Sequence, residues 1–152
     1  MVLKFAVHGG RLAPVGLSLW EFLMADVLIV DDNVSFRSML QAAMQRQFPS
    51  LRIATAADGV EALEEVERQR PKLIFMDVRL PGKNGFQLTK EIKAAHDDIR
   101  VVIITSYDLP EYREMALRVG ADLFMSKLSS TPGDIAAAAD AIISKLAQES
   151  DA

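Results

Sequence analysis

The chain has 152 residues, half of them hydrophobic and a quarter charged, which is typical of one globular domain with a single core. Its net charge of -4 excludes a strong overall basic field of the kind that attracts nucleic acid or an anionic membrane. The absence of cysteine excludes disulfides, thiolate metal sites and a cysteine nucleophile, and two widely separated histidines argue against a histidine-rich metal centre.

Residues 1–24 differ from the rest of the chain. An apolar stretch, Leu12 to Met24, follows two basic residues as in a secretory signal, but Pro14 and Glu21 interrupt it. It is also shorter than the about 20 residues that a membrane-spanning helix needs. We expect an N-terminal extension that is either a poorly ordered region upstream of a natural start at Met24, or an amphipathic segment that packs or binds a partner. A signal or membrane anchor is the third interpretation.

From Asp26 onward, short apolar runs alternate with segments of helical period. The runs show no regular polar alternation, which is typical of parallel strands covered on both faces. The five predicted strands are 27–30, 53–56, 73–76, 101–104 and 123–125. The five predicted helices begin near Asn33 or Ser35, Asp58, Asn84, Pro110 and Thr131, and end near Phe48, before Pro71, before the fourth strand, at Gly120 and near Gln148.

Strict alternation of strands and helices predicts an α/β domain over residues 25–152, with a parallel sheet, right-handed crossovers and helices on both faces. In such doubly wound sheets, ligands bind beyond the carboxyl ends of the strands. A functional site is therefore expected at the residues that end the predicted strands.

Polar side chains end four of the five predicted strands. Asp31 and Asp32 follow the first strand, Asp77 the third, Thr105 the fourth and Lys127 the fifth. The sequence LIFM runs straight into Asp77, and a buried carboxylate is costly unless its charge is used. Each residue alone has an ordinary interpretation as a helix cap, a turn residue or a solvated lysine. It is their combination at one edge of a sheet that predicts a site.

Crowded carboxylates repel one another, and a divalent cation relieves the repulsion. Oxygen ligands with room for water suit Mg²⁺, which usually acts beside phosphate. An added lysine and hydroxyl provide what phosphoryl oxygens require, because catalysis of that transfer is mostly positioning and charge stabilisation. The sequence therefore predicts Asp77 as a nucleophile that accepts a phosphoryl group.

In this combination of motifs the chain resembles a known family, the receiver domain of two-component response regulators. The chemotaxis regulator CheY is the simplest member of that family. The matching pieces are VLIVDDN at 27–33, LIFMDVRLPGKNG at 73–85, VVIITS at 101–106 and GADLFMSK at 120–127. The resemblance covers about residues 26–148. It implies a flavodoxin-like, five-stranded parallel sheet of order 2-1-3-4-5, and a phosphorylation-dependent signalling switch.

The resemblance also implies roles for individual residues. Asp77 would be the phosphoacceptor, Asp32 and Asp77 would bind Mg²⁺ directly, Asp31 would assist through water, and the backbone carbonyl of Arg79 would be a further ligand. Lys127 would pair with the phosphoryl group.

Two residues of the resemblance concern switching. Thr105 would move to hydrogen-bond the phosphoryl group, and Phe124 stands where the family keeps a switch aromatic. Together they would change the face formed by the fourth helix, the fifth strand and the fifth helix. An output protein or a second copy of the chain would bind that face.

The chain departs from the common receiver pattern at one site position. Leu128 follows Lys127 where many receivers have a cis proline, and a cis bond before another residue costs about 2.5 to 4 kcal/mol, so we expect a trans bond. Arg79 and Tyr107, each two residues past a site residue, should lie over the path by which water attacks the phosphoryl group. We expect slow self-dephosphorylation.

The partners implied are a sensor histidine kinase or a phosphotransfer protein in the cytoplasm, with no nucleic acid bound within this segment and no membrane. Candidate contacts with that partner lie on the first helix and are Ser35, Phe36, Ser38 and Met39. The alanine-rich run from Ile135 to Ala139 either reflects helix propensity or forms a dimer or partner face.

Three alternatives remain open at this stage. Only four residues follow Gln148, so the chain is either a single-domain regulator or the receiver fragment of a larger DNA-binding regulator. A receiver-like module that binds protein without phosphorylation is a second alternative. A Mg²⁺-dependent phosphohydrolase is a third, disfavoured because Arg79 stands where those enzymes have a second aspartate. We expect no stand-alone enzyme, only catalysis of the chain's own phosphorylation and dephosphorylation.

Overall fold

The computed structural model describes residues 4–8, 11–15 and 26–150. From Asp26 onward the elements alternate between strand and helix, as predicted. In chain order the described elements are β1 (Lys4–His8), β2 (Arg11–Val15), β3 (Asp26–Val30), α1 (Val34–Gln47), β4 (Arg52–Ala56), α2 (Gly59–Gln69), β5 (Leu73–Met76), α3 (Gly85–Ala95), β6 (Arg100–Thr105), α4 (Pro110–Arg118), β7 (Leu123–Ser126) and α5 (Pro132–Ser150).

The main sheet has five parallel strands in the order β4-β3-β5-β6-β7. Counted from β3, this is the order 2-1-3-4-5, so the predicted fold class is confirmed. In the register of the sheet, Val30 at the end of β3 lies beside Ala56 of β4 and Met76 of β5. The strand ends therefore come level at one edge of the sheet.

The sheet separates two hydrophobic cores, because successive side chains of a strand point to opposite faces. Val27 and Ile29 of β3 pack on the side of α1 and α5, whereas Leu28 and Val30 pack on the side of α2, α3 and α4. On the first side, Ala139 of α5 is fully buried, and its small side chain lets α5 approach the core closely.

The central strands β3, β5 and β6 are buried along almost their whole length, as their apolar sequences predicted. The prediction that all five strands are covered on both faces was wrong for β4 and β7, which are partly exposed. Both are edge strands, and each has a neighbouring strand on one side only. Leu123 of β7 is 39% exposed for this reason.

Side-chain caps begin four of the five helices at the predicted residues. The side chains of Asn33, Asp58, Asn84 and Thr131 each accept a hydrogen bond from the backbone N–H three residues later. The fourth helix begins at Pro110 without a side-chain cap, in agreement with the predicted start. These caps satisfy N–H groups that have no partner within the helix.

The first segment of the chain carries structure that the sequence analysis did not predict. β1 and β2 pair as an antiparallel two-stranded sheet, with Phe5 opposite Pro14. The candidate start at Met24 lies outside the described residues. In the parts of the chain that the structure describes, no helix has the length and apolar character needed to cross a membrane.

Candidate functional site

The backbone of the sheet brings the predicted site residues to one edge. The N–H of Asp77 donates to the carbonyl of Val30 at 2.9 Å, which extends the β3–β5 ladder one residue past the end of β5. The N–H of Lys127 donates to the carbonyl of Thr105 at 2.9 Å and does the same for β6 and β7. Asp31 is held in this way against β4, through a bond to Ala56 at 3.0 Å.

Three carboxylates meet at this edge and form what we call the acid cluster: Asp31, Asp32 and Asp77. One oxygen from each lies within 4.8 Å of the others. Asp31 and Asp77 are buried, whereas Asp32 is exposed. The predicted clustering of the three acids is therefore present in the structure, with an open side toward solvent.

The acid cluster fits a divalent cation on chemical grounds. All three side chains offer carboxylate oxygens, and the exposed side leaves room for the waters that Mg²⁺ keeps. Oδ2 of Asp31 is buried, and Lys127 Nζ lies 2.5 Å from it as an ion pair. Lys127 is therefore the cation that already faces this oxygen, and a divalent ion would add the positive charge that three neighbouring carboxylates require.

Asp77 is held in an unfavourable environment for its charge. The pKa of its carboxyl group is raised to about 6, first by burial and second by the neighbouring charge of Asp31. The Lys127 ammonium and the N–H of Val78 act in the opposite direction, and the latter donates to Asp77 Oδ1 at 2.9 Å. The carboxylate is therefore more basic than an ordinary aspartate and lacks enough positive charge around it.

Lys127 supplies the cation of the site. Its Nζ lies 2.5 Å from Oδ2 of Asp31 and 3.4 Å from Oδ2 of Asp77. It also lies 4.3 Å from the centre of the Phe36 ring. The chain contains no cis peptide bond among the described residues, so the bond to Leu128 is trans, as expected.

Thr105 and Phe124, the predicted switch residues, lie on neighbouring strands. Thr105 is fully buried, and its Oγ1 accepts a hydrogen bond from the N–H of Tyr107 at 3.2 Å. Phe124 is partly buried, with the guanidinium carbon of Arg113 from α4 at 4.8 Å from its ring centre. Phe124 therefore contacts the helix that the switch is expected to move.

Arg79 and Tyr107 meet directly. The guanidinium carbon of Arg79 lies 3.8 Å from the centre of the Tyr107 ring, within the range of a cation–π contact. Tyr107 in turn lies 6.1 Å from the ring of Tyr112 on α4. The two loops that follow β5 and β6 are thus joined by a stacked pair. The role of the Arg79 carbonyl as a metal ligand stays a prediction.

Gly85 is a close neighbour of Asp77 that the sequence analysis did not single out. A Cβ at this position would lie 2.0 Å from the carbonyl oxygen of Asp77, so only glycine fits. Gly85 begins α3, and its N–H donates to the carbonyl of Val78 at 2.8 Å. The loop after Asp77 therefore closes tightly on the backbone of Asp77. The glycine in the motif is visible in the sequence, but its close approach is not.

The predicted partner contacts lie on the first turns of α1. Ser35, Ser38 and Met39 are exposed, and Phe36 is partly buried. The exposed residues stay candidates for a docking surface. Phe36 has a second neighbour that the sequence analysis did not foresee, the ammonium of Lys127.

Comparisons with known proteins agree with this geometry. A family model described as the response regulator receiver domain matches residues 27–140. Sporulation initiation phosphotransferase F of Bacillus subtilis is 31% identical over 116 residues, which cover 76% of this chain and 89% of that protein. The response regulator MprA of Mycobacterium leprae is 33% identical over 101 residues, covering 66% of this chain and 43% of that regulator. This chain therefore matches less than half of the length of MprA.

A solved structure shows the same fold. The receiver domain protein (CheY-like) from Methanospirillum hungatei superposes with a TM-score of 0.76 at 22% sequence identity, covering 83% of this chain and 98% of that one. The likeness includes the arrangement of the sheet and helices on which the acid cluster is built.

Proposed function

This chain belongs to the response regulator receiver domain family of two-component signalling, and from that premise we propose that it accepts a phosphoryl group on Asp77. A phosphorylation switch is the general function of the family. The observation that carries the assignment to Asp77 is its buried carboxylate, which lies 3.4 Å from Lys127 and within the acid cluster.

The proposed donor is a phosphohistidine of a sensor histidine kinase or of a phosphotransfer protein. A carboxylate oxygen of Asp77 attacks the phosphorus, and the bond from phosphorus to the imidazole nitrogen breaks. The electron pair of that bond stays on the imidazole, which then takes up a proton. The products are an aspartyl phosphate and a free histidine.

The chain's own contribution to this step is positioning and charge. Lys127 faces the Asp77 carboxylate and would accompany a phosphoryl oxygen that forms there. Asp31, Asp32 and Asp77, with the carbonyl of Arg79, would hold Mg²⁺. When bound, that ion supplies positive charge against the phosphoryl oxygens and relieves the repulsion within the acid cluster.

The proposed switch begins at Thr105. Its hydroxyl oxygen accepts from the N–H of Tyr107, and in the phosphorylated state the hydroxyl would donate to a phosphoryl oxygen. That change would pull on the segment leading to α4, whose Arg113 contacts Phe124. The affected surface would be the α4–β7–α5 face, where Leu123 of β7 is 39% exposed. We propose that this face binds an output protein or a second copy of the chain.

The proposed location is the cytoplasm, where the histidine kinases and phosphotransfer proteins of two-component systems present their phosphohistidines. The proposed docking surface for that donor is the exposed side of α1, with Ser35, Ser38 and Met39, because this helix begins directly beside the acid cluster.

The test is intact mass spectrometry after incubation with acetyl phosphate. Wild type with Mg²⁺ should gain one phosphoryl group, and a chelator or Asp77→Asn should prevent the gain. Asp97→Asn is the matched control, because Asp97 is an exposed aspartate in the turn between α3 and β6. Labelling of Asp77→Asn as fast as wild type would overturn the assignment. A folded wild type that labels with neither acetyl phosphate nor a phosphohistidine donor would favour the binding-module alternative.

A further inference from the structure

The ammonium of Lys127 has an aromatic neighbour as well as two acidic ones. Its Nζ lies 4.3 Å from the centre of the Phe36 ring, inside the about 6 Å range of a cation–π contact. The Lys127 side chain is only 14% exposed, and the Phe36 ring packs on the core shared by α1 and α5. A contact shielded from water in this way is stronger than one on the open surface.

The Phe36 ring is linked to the acid cluster through the cap of α1. Oδ1 of Asp31 accepts from the N–H of Asn33 at 2.8 Å, and Oδ1 of Asn33 accepts from the N–H of Phe36 at 2.9 Å. The other oxygen of Asp31 lies 2.5 Å from Lys127 Nζ. These contacts form a closed loop of four residues: Asp31, Asn33, Phe36 and Lys127. Asp31 thus fixes the backbone that carries the Phe36 ring and also attracts the Lys127 ammonium.

A lysine ammonium on a four-carbon stem has many alternative positions, and its three N–H groups can turn toward any acceptor. The carboxylates of Asp31 and Asp77 attract the Lys127 ammonium, and the Phe36 ring limits its movement without adding another negative charge. In this position the ammonium remains 3.4 Å from the oxygen of Asp77. The confinement therefore keeps the charge beside the carboxylate that is proposed to be phosphorylated.

We propose that Phe36 is a positioning residue for phosphoryl transfer, whose ring holds the Lys127 ammonium beside Asp77. The inference rests on the proposed function, because it assigns Phe36 a part in the same reaction. In this role Phe36 does not contact the phosphoryl group. It acts through Lys127 alone.

The test replaces Phe36 by 4-fluoro-, 3,5-difluoro- and 3,4,5-trifluorophenylalanine. Fluorine withdraws electron density from the ring face and weakens its attraction for a cation, while the ring keeps nearly the same shape. We expect the rate of labelling by acetyl phosphate to fall stepwise along the series. Complete loss of the contact should slow labelling about twofold to thirtyfold, the factor that corresponds to the usual strength of such contacts.

A second measurement on the same proteins separates positioning from packing. The urea midpoint, measured without Mg²⁺, should fall along the series in the Lys127 protein and stay constant in a Lys127→Gln background. Phe86 is the matched control, because its ring contacts Tyr112 edge-on at 5.4 Å, and fluorination there should leave the labelling rate unchanged.

The outcomes are distinguishable. Equal labelling rates across the Phe36 series, or rates that rise with fluorination, would overturn the proposal. So would a midpoint that falls equally in the Lys127→Gln background, since the ring would then act by packing alone. If unsubstituted wild type is never labelled, the proposed function fails. The urea midpoints then still test the contact: equal midpoints across the Phe36 series would show that the ring does not attract Lys127.

Discussion

At the scale of single residues, Asp77 combines a chemical role with a cost to stability. Its pKa rises from 3.8 to about 6 on folding, chiefly because the carboxyl group is buried and because Asp31 lies beside it. A carboxyl group whose pKa is raised in the folded protein binds its proton more tightly there than in the unfolded chain. Its contribution favours folding below about pH 4 and is lost as the pH rises through about 6.

This shift predicts a pH-dependent difference between wild type and Asp77→Asn in buffer that contains a chelator. A shift of this size corresponds to about 3 kcal/mol. The free energy of unfolding of Asp77→Asn minus that of wild type should therefore increase by up to about 3 kcal/mol as the pH rises from 4 to 7. Urea unfolding of both proteins at several pH values measures the difference, in which the other carboxylates cancel. A difference that does not change with pH would contradict the prediction.

Mg²⁺ provides the internal check on that experiment. A ligand that binds only the folded protein raises the free energy of unfolding with its concentration. At pH 7 we expect Mg²⁺ to stabilise wild type more than Asp77→Asn, because the ion compensates the carboxylate charges. The difference in the free energy of unfolding between the two proteins should therefore become smaller. Equal stabilisation of both proteins would place the ion elsewhere.

The stacked pair of Arg79 and Tyr107 leads to a prediction about the lifetime of the phosphorylated state. Their contact at 3.8 Å joins the loops after β5 and β6, beside the predicted path of the attacking water. Removing the stack should speed the loss of phosphate about 3- to 10-fold, which lowers the barrier by about 1 kcal/mol. Because the two side chains form one contact, Arg79→Ala or Tyr107→Ala alone should speed the loss of phosphate nearly as much as the double variant does.

The lifetime is measured by intact mass at intervals after the phosphodonor is removed. Arg118→Ala is a suitable control, since it removes an exposed arginine of α4 that pairs with Glu114 on the same helix. Rates in the double variant that match wild type would refute a protective role for the stack.

At the scale of elements, two glycines at matched positions show how a helix start sets the site. Gly59 and Gly85 are the first residues of α2 and α3. A Cβ on Gly59 would meet the flexible end of Leu88 at 3.0 Å, which can move. A Cβ on Gly85 would meet the backbone oxygen of Asp77 at 2.0 Å, which cannot move without displacing the site.

Gly85→Ala should therefore lower the free energy of unfolding by about 3 kcal/mol, the upper range for forcing extra atoms into a packed region. Gly59→Ala should change it by less than about 1 kcal/mol, because alanine also favours the helix. Urea unfolding compares the two, and acetyl phosphate labelling should be slowed only in Gly85→Ala. Similar losses in both variants would show that the approach to Asp77 is not what selects glycine.

The elements also show what could be predicted from the sequence. The apolar run that ends at Asp77 and the caps at Asn33 and Asp58 are local signals, and the structure confirms the elements that they delimit. Parallel topology then requires the strand ends to meet, so the acid cluster and Lys127 could be predicted together. The exposure of β4 and β7 could not, because a run such as LFM in β7 does not record that it lies at an edge.

Contacts between side chains of different elements are harder to predict from the sequence. The approach of Phe36 to Lys127 depends on how the start of α1 and the loop after β7 are placed at the carboxyl end of the sheet, and the stack of Arg79 on Tyr107 depends on two loop conformations. The sequence identified Phe36 as a residue for a partner and Arg79 and Tyr107 as residues near the site. It contained no periodic signal that would join any of these side chains in pairs.

At the scale of the whole domain, the two ends of the sheet differ in how their charges are matched. At the carboxyl end, three carboxylates cluster, and the ammonium of Lys127 pairs with two of them, Asp31 and Asp77. At the amino end, Asp122 is fully engaged: its carboxylate accepts from the N–H of Val101 and from Lys93 Nζ, both at 2.8 Å, and pairs with Arg100 at 3.5 Å. Unmatched charge is a mark of a functional site, and matched charge is typical of a structural one.

The contrast predicts that stability and phosphorylation can be separated at opposite ends of the same sheet. Asp122→Ala leaves the N–H of Val101 without its acceptor and Lys93 without its carboxylate, so it should lower the free energy of unfolding by about 1 to 3 kcal/mol. The rate of acetyl phosphate labelling of the folded fraction should nevertheless stay at the wild-type value, because Asp122 precedes β7 whereas Lys127 follows it.

Lys127→Gln is the opposite case, since it acts directly at the acid cluster and should slow labelling whether or not stability changes. Measuring urea midpoints and labelling rates for both variants at a temperature where each is fully folded tests the separation. A labelling rate that falls in Asp122→Ala under those conditions would mean that the amino end of the sheet is coupled to the chemistry. An unchanged rate would show that the parallel sheet keeps its structural charges and its reactive charges a full strand length apart.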